Sequence, residues 1–99
     1  MNDLNELRNE IYDDAVAHGL WDCMSHLDDE ESRIASGHAI WRKALELIAE
    51  YERPGHYAEE LADVIITALS AAGYLGIDID KAVRAKMEIN RGREWRHGK

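Results

Sequence analysis

The sequence predicts an all-α fold formed by a single domain over residues 1–99. Its 99 residues include one proline and no phenylalanine, and the helix-favouring residues Ala, Leu, Glu and Arg are abundant. No segment alternates apolar and polar residues with the period of two that marks a half-buried strand. Four segments instead carry apolar residues at helical spacing. We therefore expect four helices and no sheet.

The first predicted helix has a clear start and a clear end. Asn2 or Asp3 can cap its N-terminus. His18-Gly19 ends it, because glycine suits a left-handed C-terminal cap. Residues 20–27 then form a connection that carries Trp21.

The second predicted helix begins at Asp28 or Asp29, either of which can act as its cap. It is expected to run to about Arg53, just before the only proline. Its expected core face comprises Ile34, Trp41, Leu45, Ile48 and Tyr51.

The last two predicted helices follow a turn at Pro54-Gly55. The third runs from about Tyr57 to Tyr74 and is ended by Gly76. The fourth, capped by Asp78, runs from about Ile79 to Asn90. The third helix carries an apolar stripe and a separate polar stripe. The apolar stripe comprises Leu61, Val64, Ile65, Ala68 and Ala72, and the polar stripe comprises Glu60, Asp63, Thr67 and Ser70.

Four acidic residues lie on the two sides of the predicted turn. Glu46 and Asp63 are about equally far from it along the chain, and so are Glu50 and Glu60. In antiparallel helices such pairs lie at the same height, so four carboxylates would converge. Uncompensated, that arrangement is repulsive, and a divalent cation removes the repulsion. Mg²⁺, or Mn²⁺ in its place, prefers such oxygen ligands. The competing interpretation is a solvated helix surface, where the macrodipole favours early acidic residues.

The charge pattern narrows the classes of partner. A net charge of −8 argues against a diffuse electrostatic grip on nucleic acid. Lys86 and Asn90 nevertheless share a helical face, and a basic tail over residues 91–99 follows them. An anionic substrate bridged to the acidic residues by a cation would use both features. Basic residues are also common at helix C-termini and in chain tails, which is the alternative explanation.

The expected cellular compartment follows from three features that the sequence lacks: a membrane-spanning segment, a signal peptide and a disulfide. No apolar run approaches the roughly 20 residues needed to span a membrane, and no signal peptide is recognisable. A single cysteine, Cys23, cannot form an intrachain disulfide or a zinc motif. The cytoplasm is therefore the expected compartment, without membrane association.

Several spaced elements resemble the MazG-like nucleotide pyrophosphohydrolases, including small phage-borne members. The resemblance is close over residues 57–99, fair over 5–22 and poor between them. The elements that carry it are Glu59-Glu60-Leu61-Ala62-Asp63-Val64-Ile65-Ile66, Leu75-Gly76-Ile77-Asp78-Ile79, Lys86-Met87-Glu88-Ile89-Asn90-Arg91-Gly92-Arg93, Arg96-His97-Gly98-Lys99 and Ala15-Val16-Ala17-His18-Gly19-Leu20-Trp21-Asp22.

The resemblance implies an all-α fold related to dimeric dUTPases. Such enzymes cleave nucleoside triphosphates to a monophosphate and pyrophosphate, with Mg²⁺ held by an ExxE on one helix and an ExxD on the next. Glu60 and Asp63 correspond to the ExxD. Lys86, Asn90 and Arg93 would then contact phosphate or sugar.

The chain departs from the family pattern on the second helix. Glu46 and Glu50 are spaced ExxxE, and no ExxE is present there. Another alignment puts Gly37 and Ile40 where the family has glutamates, which would leave the metal site half empty. The turn geometry favours Glu46 and Glu50, because the alternative positions lie too many turns from Pro54. Both alignments stay open.

The expected function is Mg²⁺-dependent hydrolysis of (d)NTP to (d)NMP and pyrophosphate. The metal ligands would be Glu46, Glu50, Glu60 and Asp63. Glu50 would also accept a proton from the attacking water. Lys86 would act in catalysis and substrate binding, Asn90 and Arg93 would bind phosphate, and Trp21 is a candidate to stack on the base.

The alternative is a catalytically degenerate helical dimer that binds nucleotides or proteins. In either case a homodimer or larger homo-oligomer is expected to complete the core. The apolar stripes on the second and third helices exceed what one layer of helices can cover.

Overall fold

The computed structural model describes residues 3–93, which form four α-helices and one short 3₁₀ turn. No strand occurs in this part of the chain, so the all-α prediction is confirmed. The elements are α1 (Leu4–Ala17), the 3₁₀ turn (Asp22–Met24), α2 (Asp29–Ala49), α3 (Pro54–Leu75) and α4 (Ile79–Arg91).

Most predicted helix ends are confirmed by their capping interactions. Asp3, Asp28 and Asp78 are the N-caps of α1, α2 and α4, and each side chain accepts a hydrogen bond from a first-turn amide. Gly19 and Gly76 follow α1 and α3 with φ of 74° and 69°, the left-handed region that favours glycine. These ends depend on local chemistry that the sequence displays directly.

The predicted turn between α2 and α3 is wrong. We expected α2 to reach about Arg53 and α3 to begin near Tyr57, but α2 ends at Ala49 and α3 begins at Pro54. Proline fits the first helical position because it lacks only an N–H that would have no intrahelical acceptor there. The turn is therefore residues 50–53. The predicted pairing of the four acidic residues at equal heights is therefore wrong, because the facing positions of the two helices shift by roughly one turn.

The predicted core faces of α2 and α3 are also wrong, because most of their large residues are exposed in a single chain. Ile34, Trp41 and Ile48 are 63%, 55% and 64% exposed, and Leu61 and Ile65 of α3 are exposed as well. The buried face carries small and polar residues instead. The buried residues are Ala15, Ser32, Ser36, Leu69, Ser70, Ala71 and Ala72. The polar stripe of α3 thus points into the domain, whereas the large residues Leu61 and Ile65 of its apolar stripe are exposed and only Ala72 of that stripe is buried.

α3 is the central helix and packs against both α1 and α2. It lies close to α1 at Gly73, where an added Cβ would lie 2.6 Å from Cβ of Tyr12. On the other side, the Ser32 hydroxyl of α2 lies 3.0 Å from the Tyr74 hydroxyl of α3. The contact at Gly73 sets how closely α1 packs on α3, and the hydroxyl pair joins α2 to α3.

α4 packs mainly against α1, because the chain bends by 115° between α3 and α4. Asn5 of α1 joins the two N-termini: its Oδ1 accepts from the amides of Ile79 and Asp80, and its Nδ2 donates to Asp78 Oδ1. Within residues 3–93, no single helix has both the length and the apolar composition to cross a membrane, although bent α3 and α4 meet that criterion together.

One chain has a large surface and a small core. Its accessible surface is 7695 Å², whereas a folded monomer of this mass exposes about 5,700 Å². The radius of gyration is 15.4 Å, against about 12.6 Å for a compact domain of this length. Among the described residues, no large side chain is fully buried. The apolar surface of α2 and α3 is therefore available for a further layer of helices.

Candidate carboxylate site and adjoining cavity

The four acidic residues lie on the half of the α2–α3 pair nearer the 50–53 turn, with Asp63 close to the middle of α3. Glu60 and Asp63 belong to the inward polar stripe of α3, and both are half-buried. Glu50 is the C-cap of α2, with its side chain 24% exposed. Glu46, one turn earlier, has its side chain 53% exposed. The carboxylates therefore share one half of the helix pair at different depths.

Two carboxylate oxygens at this end are buried without a hydrogen-bond donor among the described residues. They are Oε2 of Glu50, on α2, and Oε2 of Glu60, on α3. Arg53 Nη1 lies 3.5 Å from the Glu50 oxygen, close enough for an ion pair but without hydrogen-bond geometry. An unpaired buried carboxylate oxygen is costly, and a bound cation would remove that cost.

Lys43 is the cation that the sequence reasoning missed. Its Nζ lies 3.1 Å from Oε2 of Glu46. Hydrogen bonding to the Glu46 carboxylate raises the pKa of Lys43 above its ordinary value, and the charges of Glu46, Asp63 and Glu60 add to the effect against partial burial. The ammonium group therefore lies in the field of carboxylates from both helices. The spacing of Lys43 and Glu46, three residues apart on one helix, could have indicated the pair.

The donor chemistry at this end suits Mg²⁺, because every candidate ligand is a carboxylate oxygen. The present side-chain arrangement is not yet a coordination shell. Across residues 3–93, no group of three or more His, Cys, Asp or Glu side chains is placed to hold a metal ion. Glu46 forms an ion pair with Lys43, and the Oε2 atoms of Glu50 and Glu60 are buried without a hydrogen bond. Metal binding would therefore require side-chain rotation.

The alternative family positions supply no ligand. Gly37 is exposed, and a Cβ built there would meet nothing within 4 Å. Ile40 is half-buried and apolar. If the family's glutamates align with these positions, α2 contributes no carboxylate there. The predicted reason for preferring Glu46 and Glu50 is wrong, because Ile40 lies about as far from the end of α2 as Asp63 lies from the start of α3.

An apolar cavity of about 500 Å³ adjoins the carboxylate end, and Lys43 lies in its wall. The remaining lining comes from α1, from the connection to α2, and from α2 and α3. It comprises Ile11, Asp14, Ala15, His18, Leu20, Trp21, Met24, Ala39, Ile66, Thr67 and Ser70. A volume of this size is typical of small-molecule sites.

Trp21 is held rigidly at this cavity. Its ring stacks on Tyr74 with centroids 4.3 Å apart and planes 8° from parallel. Its Nε1 donates to Oγ of Ser70 at 3.0 Å, and the Tyr74 hydroxyl donates to the carbonyl of Met24. The connection after α1 is thus fixed onto α3. The predicted substrate-binding tryptophan therefore lines a cavity that could accept a planar group.

The predicted phosphate-binding residues are not brought to the carboxylates within one chain. Lys86 is exposed on α4, and Asn90 is half-buried with Arg93 Nη1 at 3.5 Å from its Oδ1. None of the hydrogen bonds and ion pairs seen in residues 3–93 joins α4 to the carboxylate end of α2 and α3. Residues 94–99 of the predicted basic tail lie outside the described residues.

One curated protein resembles part of this chain. It is the "dATP/dGTP diphosphohydrolase" of Cyanophage S-2L, which is 52% identical over 40 residues. The alignment covers 40% of this chain and 38% of that protein, well under half of either. No protein-family model and no solved structure matches the chain.

Proposed function

We propose that this protein is a nucleotide hydrolase that converts deoxynucleoside triphosphates to monophosphates and pyrophosphate with the help of Mg²⁺. The observation that carries the proposal is the identity of 52% over 40 residues with a phage protein named for dATP and dGTP hydrolysis. The proposal is also supported by the resemblance to MazG-like enzymes, which includes the ExxD of Glu60 and Asp63 and the residues assigned to phosphate binding. Both purine nucleotides are accordingly the first substrates to test.

The metal ligands in this proposal are Glu46, Glu50, Glu60 and Asp63. The buried Oε2 atoms of Glu50 and Glu60 support it, because neither accepts a hydrogen bond and carboxylate oxygens suit an oxygen-preferring cation. When bound, Mg²⁺ supplies positive charge that stabilises phosphate oxygens and acidifies a coordinated water. Glu50 is the residue we assign to accept the proton of the water that attacks the α-phosphorus.

The remaining groups bind and orient the substrate. Trp21 offers its ring to the base in the cavity, and Lys43 stands between that cavity and the carboxylates. Lys86, Asn90 and Arg93 are assigned to the phosphates by their resemblance to the family. Because α4 packs against α1 within one chain, the α4 cations would reach the carboxylates from a second copy of the chain.

A homodimer or larger homo-oligomer is part of the proposal. An excess surface on the order of 2,000 Å² per chain would supply an interface in the range of obligate homodimers. Ile34, Trp41, Leu45 and Ile48 recur on α2 at intervals of seven, four and three residues, which is the spacing of a helix–helix seam.

The direct test is pyrophosphate release from dATP, dGTP and other nucleoside triphosphates, with and without Mg²⁺. We expect release that requires the metal and is abolished in Asp63→Asn. Arg42→Gln, on another face of α2, is the matched control that should retain activity. Wild-type protein that binds these nucleotides but releases no pyrophosphate with either Mg²⁺ or Mn²⁺ would contradict the proposal.

A non-catalytic helical oligomer is the second candidate. It is favoured by the ion pair of Lys43 with Glu46 and by the lack, across residues 3–93, of a ready group of three metal-binding side chains. The double variant Gly37→Glu/Ile40→Glu separates the candidates, because it restores the family's ExxE. Activity that appears only in the double variant would assign wild type to the degenerate class. If wild type is active and Glu50→Gln is not, the wild-type protein is an enzyme.

A further inference from the structure

We propose that Tyr74 and Ser70 are positioning residues, which hold the indole of Trp21 with one face covered and the other open to the cavity, where a purine base stacks on it. We call this open face the base platform. The inference rests on the proposed function for the identity of its ligand. Stacking of the base requires neither metal nor hydrolysis, so it can be tested on its own.

Tyr74 is fixed at its hydroxyl by two other parts of the chain. This hydroxyl donates its one proton to the carbonyl of Met24, at 3.0 Å. It therefore accepts the proton of the Ser32 hydroxyl, which is also 3.0 Å away. Ser32 is buried on α2, and Met24 is half-buried in the 3₁₀ turn. The Tyr74 ring of α3 is thus joined to α2 and to the connection after α1, and it cannot rotate away without breaking both bonds.

Trp21 is fixed in turn at one face and at its nitrogen. Its ring and that of Tyr74 are stacked, with centroids 4.3 Å apart and planes 8° from parallel. The Trp21 Nε1 donates to Oγ of Ser70, a buried residue of α3. Stacking restrains the plane of the indole, and the hydrogen bond restrains its rotation within that plane. The orientation of the base platform is therefore set before a ligand arrives.

The face of Trp21 opposite Tyr74 is the one available to a ligand. Trp21 and Ser70 line the cavity of about 500 Å³, whereas Tyr74 is not among its described lining residues. The indole therefore separates Tyr74 from the cavity. Ile11 and Ile66 supply apolar groups to the same cavity, which suits the uncharged ring of a base. A planar base inserted there would extend the stack of Tyr74 and Trp21.

A purine gains more from this platform than a pyrimidine does. Its two fused rings cover more of the bicyclic indole than a single ring can, and the stabilisation grows with the area that is covered. Loss of a base–aromatic stack lowers affinity by about five- to 100-fold. Because the preference for purines depends on this overlap, it should fall when the indole is less firmly oriented.

The first test follows Trp21 fluorescence as nucleotides are added in the presence of a metal chelator. Trp41→Phe/Trp95→Phe leaves Trp21 as the only tryptophan. We expect dAMP and dGMP to quench it and to bind about three-fold or more tightly than dCMP and dTMP. The matched control, Trp21→Phe/Trp95→Phe, keeps only the exposed Trp41 of α2 and should show no such preference.

The second test measures dAMP and dCMP affinity by titration calorimetry in variants of Tyr74. Tyr74→Leu uncovers the supported face of the indole and should weaken dAMP binding by about two- to ten-fold. It should weaken dCMP binding less, so the purine preference falls. Tyr74→Phe keeps the stacked ring and should retain most of that preference. Tyr57→Leu, at an exposed tyrosine of the same helix, should leave both affinities within about two-fold of wild type.

Ser70→Ala tests the hydrogen bond to the indole. It should weaken dAMP binding by about two- to ten-fold and again lower the purine preference, because the indole can then rotate in its plane. Circular dichroism on each variant verifies that the helices are retained. A variant that merely loses stability would lose affinity for dAMP and dCMP in equal proportion.

The outcomes separate this inference from the proposed function. Absent quenching of Trp21, or equal binding of purine and pyrimidine nucleotides, would overturn the base platform. An unchanged purine preference in both Tyr74→Leu and Ser70→Ala would overturn their positioning role. Trp21 emission that changes with protein concentration but not with nucleotides would overturn the inference and assign the cavity to a second copy of the chain. If purine monophosphates bind at Trp21 but no triphosphate is hydrolysed, the base platform stands and the proposed function fails.

Discussion

Gly73→Ala is the substitution whose cost the structure predicts most directly. A Cβ at this position of α3 would lie 2.6 Å from Cβ of Tyr12 and 2.7 Å from its Cγ. Both Tyr12 atoms are close to the backbone of α1, so rotation about χ1 cannot remove the Cβ contact. α1 must instead move away from α3. This movement disturbs the cavity, because Ile11 and Ala15 of α1 line it.

The expected loss of stability is the balance of two terms. Overpacking a tight helix contact costs about 1–3 kcal/mol. Replacing a helical glycine with alanine returns about 0.5–1 kcal/mol through backbone entropy and propensity. The net loss should be about 1 kcal/mol, which lowers Tm by about 4–8 °C in a domain of this size.

Gly37→Ala is the matched control, because it makes the same exchange in α2 where a Cβ meets nothing within 4 Å. It should raise Tm by a few degrees through the propensity term alone. Thermal melts by circular dichroism measure both variants, at one protein concentration because an oligomer's Tm depends on it. If Gly73→Ala melts at or above Gly37→Ala, the close contact between α1 and α3 is refuted.

Four further outcomes test the site and the surface. Mg²⁺ should raise the Tm of wild type more than that of Asp63→Asn, and equal shifts would exclude Asp63 as a ligand. Glu50→Gln should reduce pyrophosphate release as strongly as Asp63→Asn, and full activity, with a change in stability below about 0.5 kcal/mol, would exclude Glu50 from the site. Light scattering should give wild type a mass above the 11.3 kDa of one chain and Trp41→Glu a smaller one, whereas monomeric wild type would contradict the predicted oligomer. A hydrogen bond from Arg84 lowers the pKa of Asp80, so its contribution to stability is complete above about pH 4 and is lost as the pH falls further. Melts between pH 6 and pH 3 should therefore show a shallower acid loss in Asp80→Asn, and an identical loss would contradict the role of this carboxylate.

The sequence was sufficient for the helices and most of their ends. Asp3, Asp28 and Asp78 cap their helices through amides within three residues, and Gly76 ends α3 through its own backbone conformation. Such interactions are local, so residue type and spacing determine them. The α2–α3 turn was misplaced because proline is compatible both with a turn and with a first helical position, and its local chemistry favours neither.

Only the tertiary structure decided which helix faces point inward. α3 carries an apolar and a polar stripe at the same spacing, and hydrophobicity alone selects the apolar stripe for the core. The hydrogen bond of Ser70 with Trp21, and that of Tyr74 one turn further along the same face with Met24, satisfy polar groups on the buried side of the helix's C-terminal half. For the same reason, Lys43 could not be identified from the sequence. Its interaction with Asp63 and Glu60 depends on how α2 is rotated and shifted against α3, and residues so far apart in the chain acquire that relation only through packing.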